Sequence, residues 1–292
     1  MRSLGDYNPI AVAVYFVTAS MIAAFCMNPI LLFLSLSGAV ALFAAQSRGG
    51  GVRSHLGFLM LFLLVALINP ITSHNGVTVL FVINDTPITA EAFFYGLAAA
   101  GMLVGTLYWF SSFSRIMTSD KLLYLFGKFS PKLALVFSMG LRYVPLFGHQ
   151  ARKINQTQKA LGLYKEDNIV DRFKGGVRVF SVLVTWALEN GIVTADSMEA
   201  RGYGVGKRSH FSIFRFRASD VGFLLITLLL GGLTCISMGL GALDAVFYPA
   251  FHLAPISPLA LTGYFAYGIL AWMPIFLELE EGLKWKYLRS RI

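Results

Sequence analysis

Residues 196–203 read Asp196-Ser197-Met198-Glu199-Ala200-Arg201-Gly202-Tyr203, and they stand near the end of a basic, amphipathic block, residues 114–220, set between two very apolar flanks. The block holds 17 of the chain's 24 Lys and Arg and 8 of its 15 acids. Such a segment between apolar flanks points to a membrane protein that is pushed from the cytoplasm.

The flanks support that reading. With 56% hydrophobic and 13% charged residues and a mean hydropathy of +0.66, the 292-residue chain has too little polar surface to coat a soluble globule. Uncharged runs cover residues 7–47, 54–84, 92–114, 221–243 and 245–277, against the roughly 20 apolar residues a spanning helix needs. The first run is long enough for two helices. Asn28-Pro29 lies at its middle, and proline, which lacks an N–H and disfavours a helical residue before it, makes a hairpin turn there. Residues 72–90 read as a turn, a short β-branched strand from Val77 to Ile83, and a second turn at Asn84-Asp85-Thr86-Pro87. Residues 241–258, with Gly241, Pro249, Pro255 and Pro258, read as a loop. The expectation is an all-α polytopic membrane protein. Six spanning helices are expected near 10–26, 29–46, 56–71, 92–113, 221–240 and 259–278, in an N-terminal group (1–113) and a C-terminal group (220–292), with cytoplasmic amphipathic helices (114–219) between them.

Positive charge sets the orientation. Arg2, Arg48, Arg53, the whole block from Arg115 to Arg217, and Lys284, Lys286, Arg289 and Arg291 fall on one side of a six-helix zigzag. The loops of the other side carry Asp85, Glu91 and Asp244 but no Lys or Arg. Both termini and the block are therefore expected in the cytoplasm. This topology accounts for the net charge of +9, so nucleic acid is not an expected partner. Arg2 precedes a span followed directly by another, which is not a cleavable-signal pattern. Cys26 and Cys235 are single residues in apolar runs, without the spacing of a disulfide framework or a metal site, so no metal or cofactor is expected.

Within the block the longest uncharged runs, 133–141, 143–151 and 179–188, are about half a span. They read as helices lying along the interface or against a partner. In one helix Phe147, Ala151, Ile154 and Leu161 form a stripe, with Arg152, Lys153 and Lys159 turned away and Pro145 as a start or kink. In the other, Val177, Phe180, Val184, Ala187, Gly191, Ala195 and Met198 recur every three or four residues. The small residues at 187, 191 and 195 would let another helix approach closely. The two helices end alike, Ala160-Leu161-Gly162 and Ala200-Arg201-Gly202, 40 residues apart. A glycine after the last turn is an ordinary C-cap, and an arginine there can bind loose carbonyls, worth about 0.3–1 kcal/mol.

Taken together, the chain resembles the transmembrane T component of energy-coupling factor transporters, the family that includes vitamin-uptake and cobalt-uptake T subunits. The resemblance covers nearly the whole chain and is sharpest at Asp196 to Tyr203, which is similar to the family's second coupling motif. It implies that Ala160, Leu161, Gly162, Ala200, Arg201 and Gly202 contact a pair of ATPase subunits. It implies also that the membrane-facing side, with Ala187, Gly191, Ala195 and Met198, holds a substrate-binding S component in a prokaryotic cell membrane. Leu161 departs from the family's arginine at the first tip. Lys159 or Lys165 could supply the charge, but not arginine's planar, two-pronged grip on a carboxylate.

Rival functions find less in the residues. A stand-alone transporter or channel normally keeps ionisable groups inside its spans, and the expected spans hold only Glu278, at a boundary. Polar Asn28, Asn69 and His55 near helix ends suit turn-forming and capping roles. An intramembrane enzyme would show an HExxH pair, a GxSxG elbow or similar, and none is present. Gly127-Lys128-Phe129 and Gly206-Lys207-Arg208 both lack the hydroxyl that a phosphate-binding loop places after its lysine, so ATP would be hydrolysed on partner chains. Lys207, Arg208, Arg215 and Arg217 among Phe211, Phe214 and Phe216 would anchor the next span at the interface.

The one-sided charge gives the first test. With Cys26 and Cys235 replaced, a single cysteine at Asn75 or Ala242 should react with an impermeant thiol reagent in intact cells, and one at Gly50 or Ser209 should not. Labelling at Gly50 in sealed cells would overturn the topology.

Overall fold

The computed structural model describes residues 4–47, 52–73, 75–83, 86–163, 169–206 and 214–289. Arg2, Arg48, Asn84, Asp85, Lys165, Arg291 and the anchor residues Lys207, Arg208 and Phe211 lie outside them. Among the described residues the protein is all-α apart from two small hairpins. Helices α1 (Pro9–Phe25), α2 (Pro29–Gln46), α3 (Val52–Thr72) and α4 (Ala90–Ile116) precede α5 (Ser119–Phe129), α6 (Pro131–Ala160) and α7 (Ile169–Ala200). Helices α8 (Ala218–Gly239) and α9 (Pro258–Arg289) close the chain. Two compact units result, Met1–Thr118 with Phe214–Ile292, and Ser119–Ile213.

In the first unit α1, α8, α9, α2 and α4 pack in a closed ring, and α3 adds to its outside through α4. The ring closes around aromatic side chains. Trp109 is fully buried, meets Tyr15 and Phe16 edge-on with centroids 6.1 Å away, and donates its indole N–H to Ser35 Oγ at 3.0 Å. Such ring pairs contribute about 0.5–1.5 kcal/mol each beyond area burial. Tyr15 donates to the Leu270 carbonyl at 3.0 Å and Tyr267 to the Ala19 carbonyl at 3.3 Å, tying α1 to α9 in both directions. Close approach is set by small residues: a Cβ on Gly96 of α4 would lie 2.7 Å from the Ala66 carbonyl oxygen of α3.

The two ends of this unit are stitched separately. At one, Asp220 in the first turn of α8 accepts the backbone N–H groups of Asn8 (3.2 Å) and Arg217 (2.9 Å), His55 Nδ1 lies 2.9 Å from the Tyr108 hydroxyl, and the Arg115 guanidinium sits 3.9 Å above the Phe43 ring. At the other, Asn28 caps α2 by accepting from Ile30 N at 3.0 Å and donates to the Leu243 carbonyl (3.1 Å) and Tyr264 hydroxyl (2.7 Å). There Tyr95 meets Phe247 edge-on and Tyr248 at a tilt, and Phe251 packs at a tilt on Phe247. The described Lys and Arg of the unit fall at the first end, as a zigzag of six helices requires.

Several expectations are corrected. Helix α9 runs 11 residues past the expected 278, and α6 passes unbroken through Pro145, so that proline is not its start. Residues 72–90 contain a hairpin rather than one strand: β1 (Val79–Ile83) pairs antiparallel with β2 (Thr86–Thr89), where a turn was expected. The 241–258 loop holds a minimal pair, β3 (Ala245–Val246) and β4 (His252–Leu253). Neither His55 nor Asn69 caps a helix. Asn69 instead donates to the Ala92 carbonyl at 3.2 Å, joining α3 to α4. Among the described residues six helices are long and apolar enough to cross a membrane, and α7 is one of them while the 17-residue α1 falls short of the length. Composition separates the two: α1 has no Asp, Glu, Lys or Arg, whereas α7 carries seven from Asp171 to Glu199. Seventeen residues is the lower limit of a span, and α1 buries one face in the ring.

Candidate functional site

Helices α6 and α7 are built as a pair. Along α6 the half-buried positions include Met139, Tyr143, Phe147, Ala151 and Ile154, and along α7 Val179, Leu183, Trp186, Asn190, Thr194 and Met198, each set at helical spacing. Phe147 meets Trp186 edge-on at 6.0 Å, and one turn earlier Tyr143 shares a hydrogen bond of 3.2 Å with Thr194, two turns later on α7. The two helices therefore pass each other in opposite senses, and burial extends to Gln158 near the end of α6 and Gly175 near the start of α7. At 1.5 Å per residue, Ala160 lies about 20 Å past Phe147 and Ala200 about 9 Å past Thr194. Helix α5 braces α6 through the stacked rings of Phe126 and Phe137, 5.3 Å apart.

Both ends close in the same way, atom for atom. At the first, Gly162 N–H donates to the Lys159 carbonyl (3.1 Å) and Leu163 N–H to the Gln158 carbonyl (3.2 Å). At the second, Gly202 N–H donates to Glu199 (2.9 Å) and Tyr203 N–H to Met198 (3.0 Å). This is the Schellman arrangement, and it needs a left-handed residue at its corner. Gly162 has φ +66° and Gly202 φ +83°. Leu161 and Arg201 thus occupy equivalent cap positions.

The arrangement alone is not special. Helix α8 ends likewise, with Gly241 N–H on Met238 and Ala242 N–H on Ser237, but there the corner is crowded: a Cβ on Gly241 would lie 3.2 Å from Asp244 Oδ2. At Gly162 and Gly202 nothing among the described residues stands within 4 Å of such a Cβ. Leu161 is 68% exposed and Val205 86%. The exposed Arg201 side chain has no hydrogen bond among the described residues, because backbone N–H groups already serve the last carbonyls. Ala160, Ala200 and Lys159 are exposed as well. Among the described residues both tips are open, with an exposed planar cation on one and an exposed aliphatic side chain on the other.

Of the expected small-residue stripe, Gly191 and Ala195 are exposed, with nothing within 4 Å of a Cβ on Gly191, and Ala187 and Met198 are half-buried. The side chains that join α7 to α6, Trp186 and Thr194, lie one position before Ala187 and Ala195. Sequence reasoning followed the small residues and missed this face. Its signal was present in the four-residue spacing of Trp186, Asn190, Thr194 and Met198. The open stripe is continuous with exposed Phe180, Val184, Leu188 and Ile192, an apolar surface too large to be left to water.

Residues 6–213 match the family described as cobalt transport protein, CbiQ. The chain is 35% identical over 104 residues to the energy-coupling factor transporter transmembrane protein EcfT of Listeria innocua, covering 35% of this chain and 39% of that one. It is 35% identical over 91 residues to the protein of the same name from Lacticaseibacillus paracasei, covering 30% and 34%. With that of Thermotoga maritima it shares 26% identity over 242 residues, covering 78% and 87%. The chain thus spans little more than a third of the first two relatives' length.

Exposure of the stripe makes a stability prediction. In the detergent-solubilised chain Gly191→Leu and Ala195→Leu should be no less stable than wild type, within about 0.5 kcal/mol, while Trp186→Ala should cost about 1–3 kcal/mol. Thermal unfolding followed by circular dichroism measures both. Destabilisation by the leucines would place the stripe inside a packed contact.

Proposed function

We propose, from the premise that this chain belongs to the cobalt transport protein family, CbiQ, that it is the transmembrane coupling subunit of an energy-coupling factor importer in a prokaryotic cell membrane. The observation that carries the reading is the pair of matched, open helix ends at Ala160-Leu161-Gly162 and Ala200-Arg201-Gly202. Two equivalent helix ends on one packed pair suit two copies, or two kinds, of one soluble partner. The relatives named as energy-coupling factor transmembrane proteins support the same conclusion.

In this reading each tip inserts into a groove on one of two ATPase subunits, which alone hydrolyse ATP. Arg201 offers its fork to a carboxylate in that groove. Closing of the ATPase pair displaces both tips, and the contact between α6 and α7 transmits the movement. The exposed apolar side of α7, at Gly191, Ala195 and the neighbouring Ala187 and Met198, packs on a substrate-binding S component and re-orients it, delivering a vitamin or metal ion. Both termini and the unit from Ser119 to Ile213 face the cytoplasm, in line with the charge distribution. A stand-alone carrier or channel is less well supported. Glu91 and Asp220, the buried carboxylates among the described residues, lie in the first turns of α4 and α8 and are held by backbone N–H groups rather than lining a path.

The test separates a coupling arginine from a capping one. Backbone caps already close α7, so Arg201→Ala should cost the helix less than about 1 kcal/mol. As an interface anchor, however, its truncation should weaken ATPase binding by about 2 kcal/mol or more, with Arg201→Lys restoring only part. Uptake and ATPase co-purification at matched expression should therefore collapse in Arg201→Ala, and Leu161→Arg should be tolerated or bind more tightly. Normal uptake with normal ATPase recovery in Arg201→Ala would contradict the reading.

A further inference from the structure

The geometry points to a second membrane contact that the spans do not provide: the β1–β2 hairpin between α3 and α4 lies in the headgroup boundary of the leaflet opposite the basic end, with its apolar face in lipid. The inference rests on the membrane fold alone and stands or falls apart from the coupling role.

The hairpin is unusual in what it exposes. Val77 is 70% exposed, Leu80 54% and Val82 63%, with Val79 also exposed. A register irregularity between Val79 and Phe81 leaves Leu80 as an extra residue in β1. A two-stranded ribbon that shows this much apolar surface is marginal in water. Edge strands that face water are normally guarded by lysine or by inward charge. No Lys or Arg occurs anywhere between Arg53 and Arg115. The ribbon also packs on α3 and α4 through β2, beside an apolar face that must already meet lipid. Leu56, Leu59, Met60, Leu63, Leu67 and Ile71 form the outer side of α3, the least buried of the membrane-unit helices long enough to span, and Ile71 is six residues from Val77.

The ribbon is held in place rather than hanging free. Glu91, buried in the first turn of α4, accepts the Thr78 N–H at 3.2 Å and the Thr78 hydroxyl, while Ala90 N–H donates to the Thr78 carbonyl at 2.9 Å and Thr89 Oγ to the Asn75 carbonyl at 2.8 Å. Gly76, at φ +143°, lies under this clamp, where a Cβ would come within 2.6 Å of Glu91 Oε2. Depth is limited by the backbone. An open sheet edge cannot sit in hydrocarbon, where its N–H and carbonyl groups find no partner. The ribbon therefore lies flat, about 5–10 Å into the headgroup and upper acyl region, as interfacial segments do.

The test uses the full chain in phosphatidylcholine vesicles, with Cys26 and Cys235 replaced by alanine and spin labels at Leu80→Cys, Val82→Cys and, as a lipid reference on α3, Ile71→Cys. Collision with oxygen reports lipid, and collision with a water-soluble nickel chelate reports solvent. Oxygen should exceed nickel by at least about threefold at Leu80 and Val82, at a depth shallower than for a label at Leu63→Cys in mid-span. Nickel dominating at both positions would overturn the inference. So would low collision with both reagents, which would mean that protein covers the ribbon. Circular dichroism of each labelled chain checks the fold, and Val79→Cys gives a third position should either label disturb it.

Discussion

Inside a bilayer only the protein can satisfy a buried N–H, carbonyl or carboxylate, and the first unit is organised around that constraint. Polar side chains gather at the helix ends and close what the helices leave open. Asn28 reaches across 215 residues to the Leu243 carbonyl, Asp220 takes the backbone of Asn8 and Arg217, and Glu91 takes that of Thr78. Between these ends the ring is sealed by aromatic packing around Trp109 and by backbone approaches that only glycine permits. The result is a frame whose ends are fixed and whose outer face is left to lipid.

The second unit follows a different rule. Helices α6 and α7 bury one narrow face against each other and leave most of their apolar surface open. Such a surface is unstable unless something covers it. Their ends, by contrast, are complete in themselves, because backbone N–H groups cap the last carbonyls and leave Leu161 and Arg201 free. A helix pair open along its side and closed by its own backbone at its tips supports the proposed coupling role. Leu161 and Arg201 make the two tips unequal, with a planar guanidinium on one and, beside Leu161, the exposed Lys159 ammonium on the other.

Much of this was legible in residues. Asn28-Pro29 marked the start of α2 because an asparagine cap and a proline at the first helical position act locally, and Gly162 and Gly202 marked the ends of α6 and α7 for the same reason. The span boundaries near 92–113 and 221–240 followed from charge, and they fall short by a few residues because amphipathic turns continue the helices beyond the apolar run. Pairing was not legible. Thr86-Pro87 reads as a turn, yet β2 is an edge of a two-stranded ribbon, where a missing N–H is tolerated. The clamp from Glu91 to Thr78 that fixes it depends on tertiary geometry. For α7, small residues drew attention to Gly191 and Ala195, whereas the contact with α6 uses Trp186 and Thr194, because a ring and a hydroxyl found partners that periodicity could not name. Pro145, expected to start or kink α6, lies within a continuous helix that begins at Pro131.

The central claim is that the two open tips are the points at which soluble ATPases grip this protein. It is tested most directly by proximity. Photo-crosslinking amino acids at Leu163 and Val205, one beside each tip, should each capture an ATPase subunit in native membranes, with the yield changing when nucleotide is trapped on the complex. If neither position captures an ATPase, while a photo-crosslinker at Ile192 on the open side of α7 does, the assignment of the tips as the coupling points is wrong.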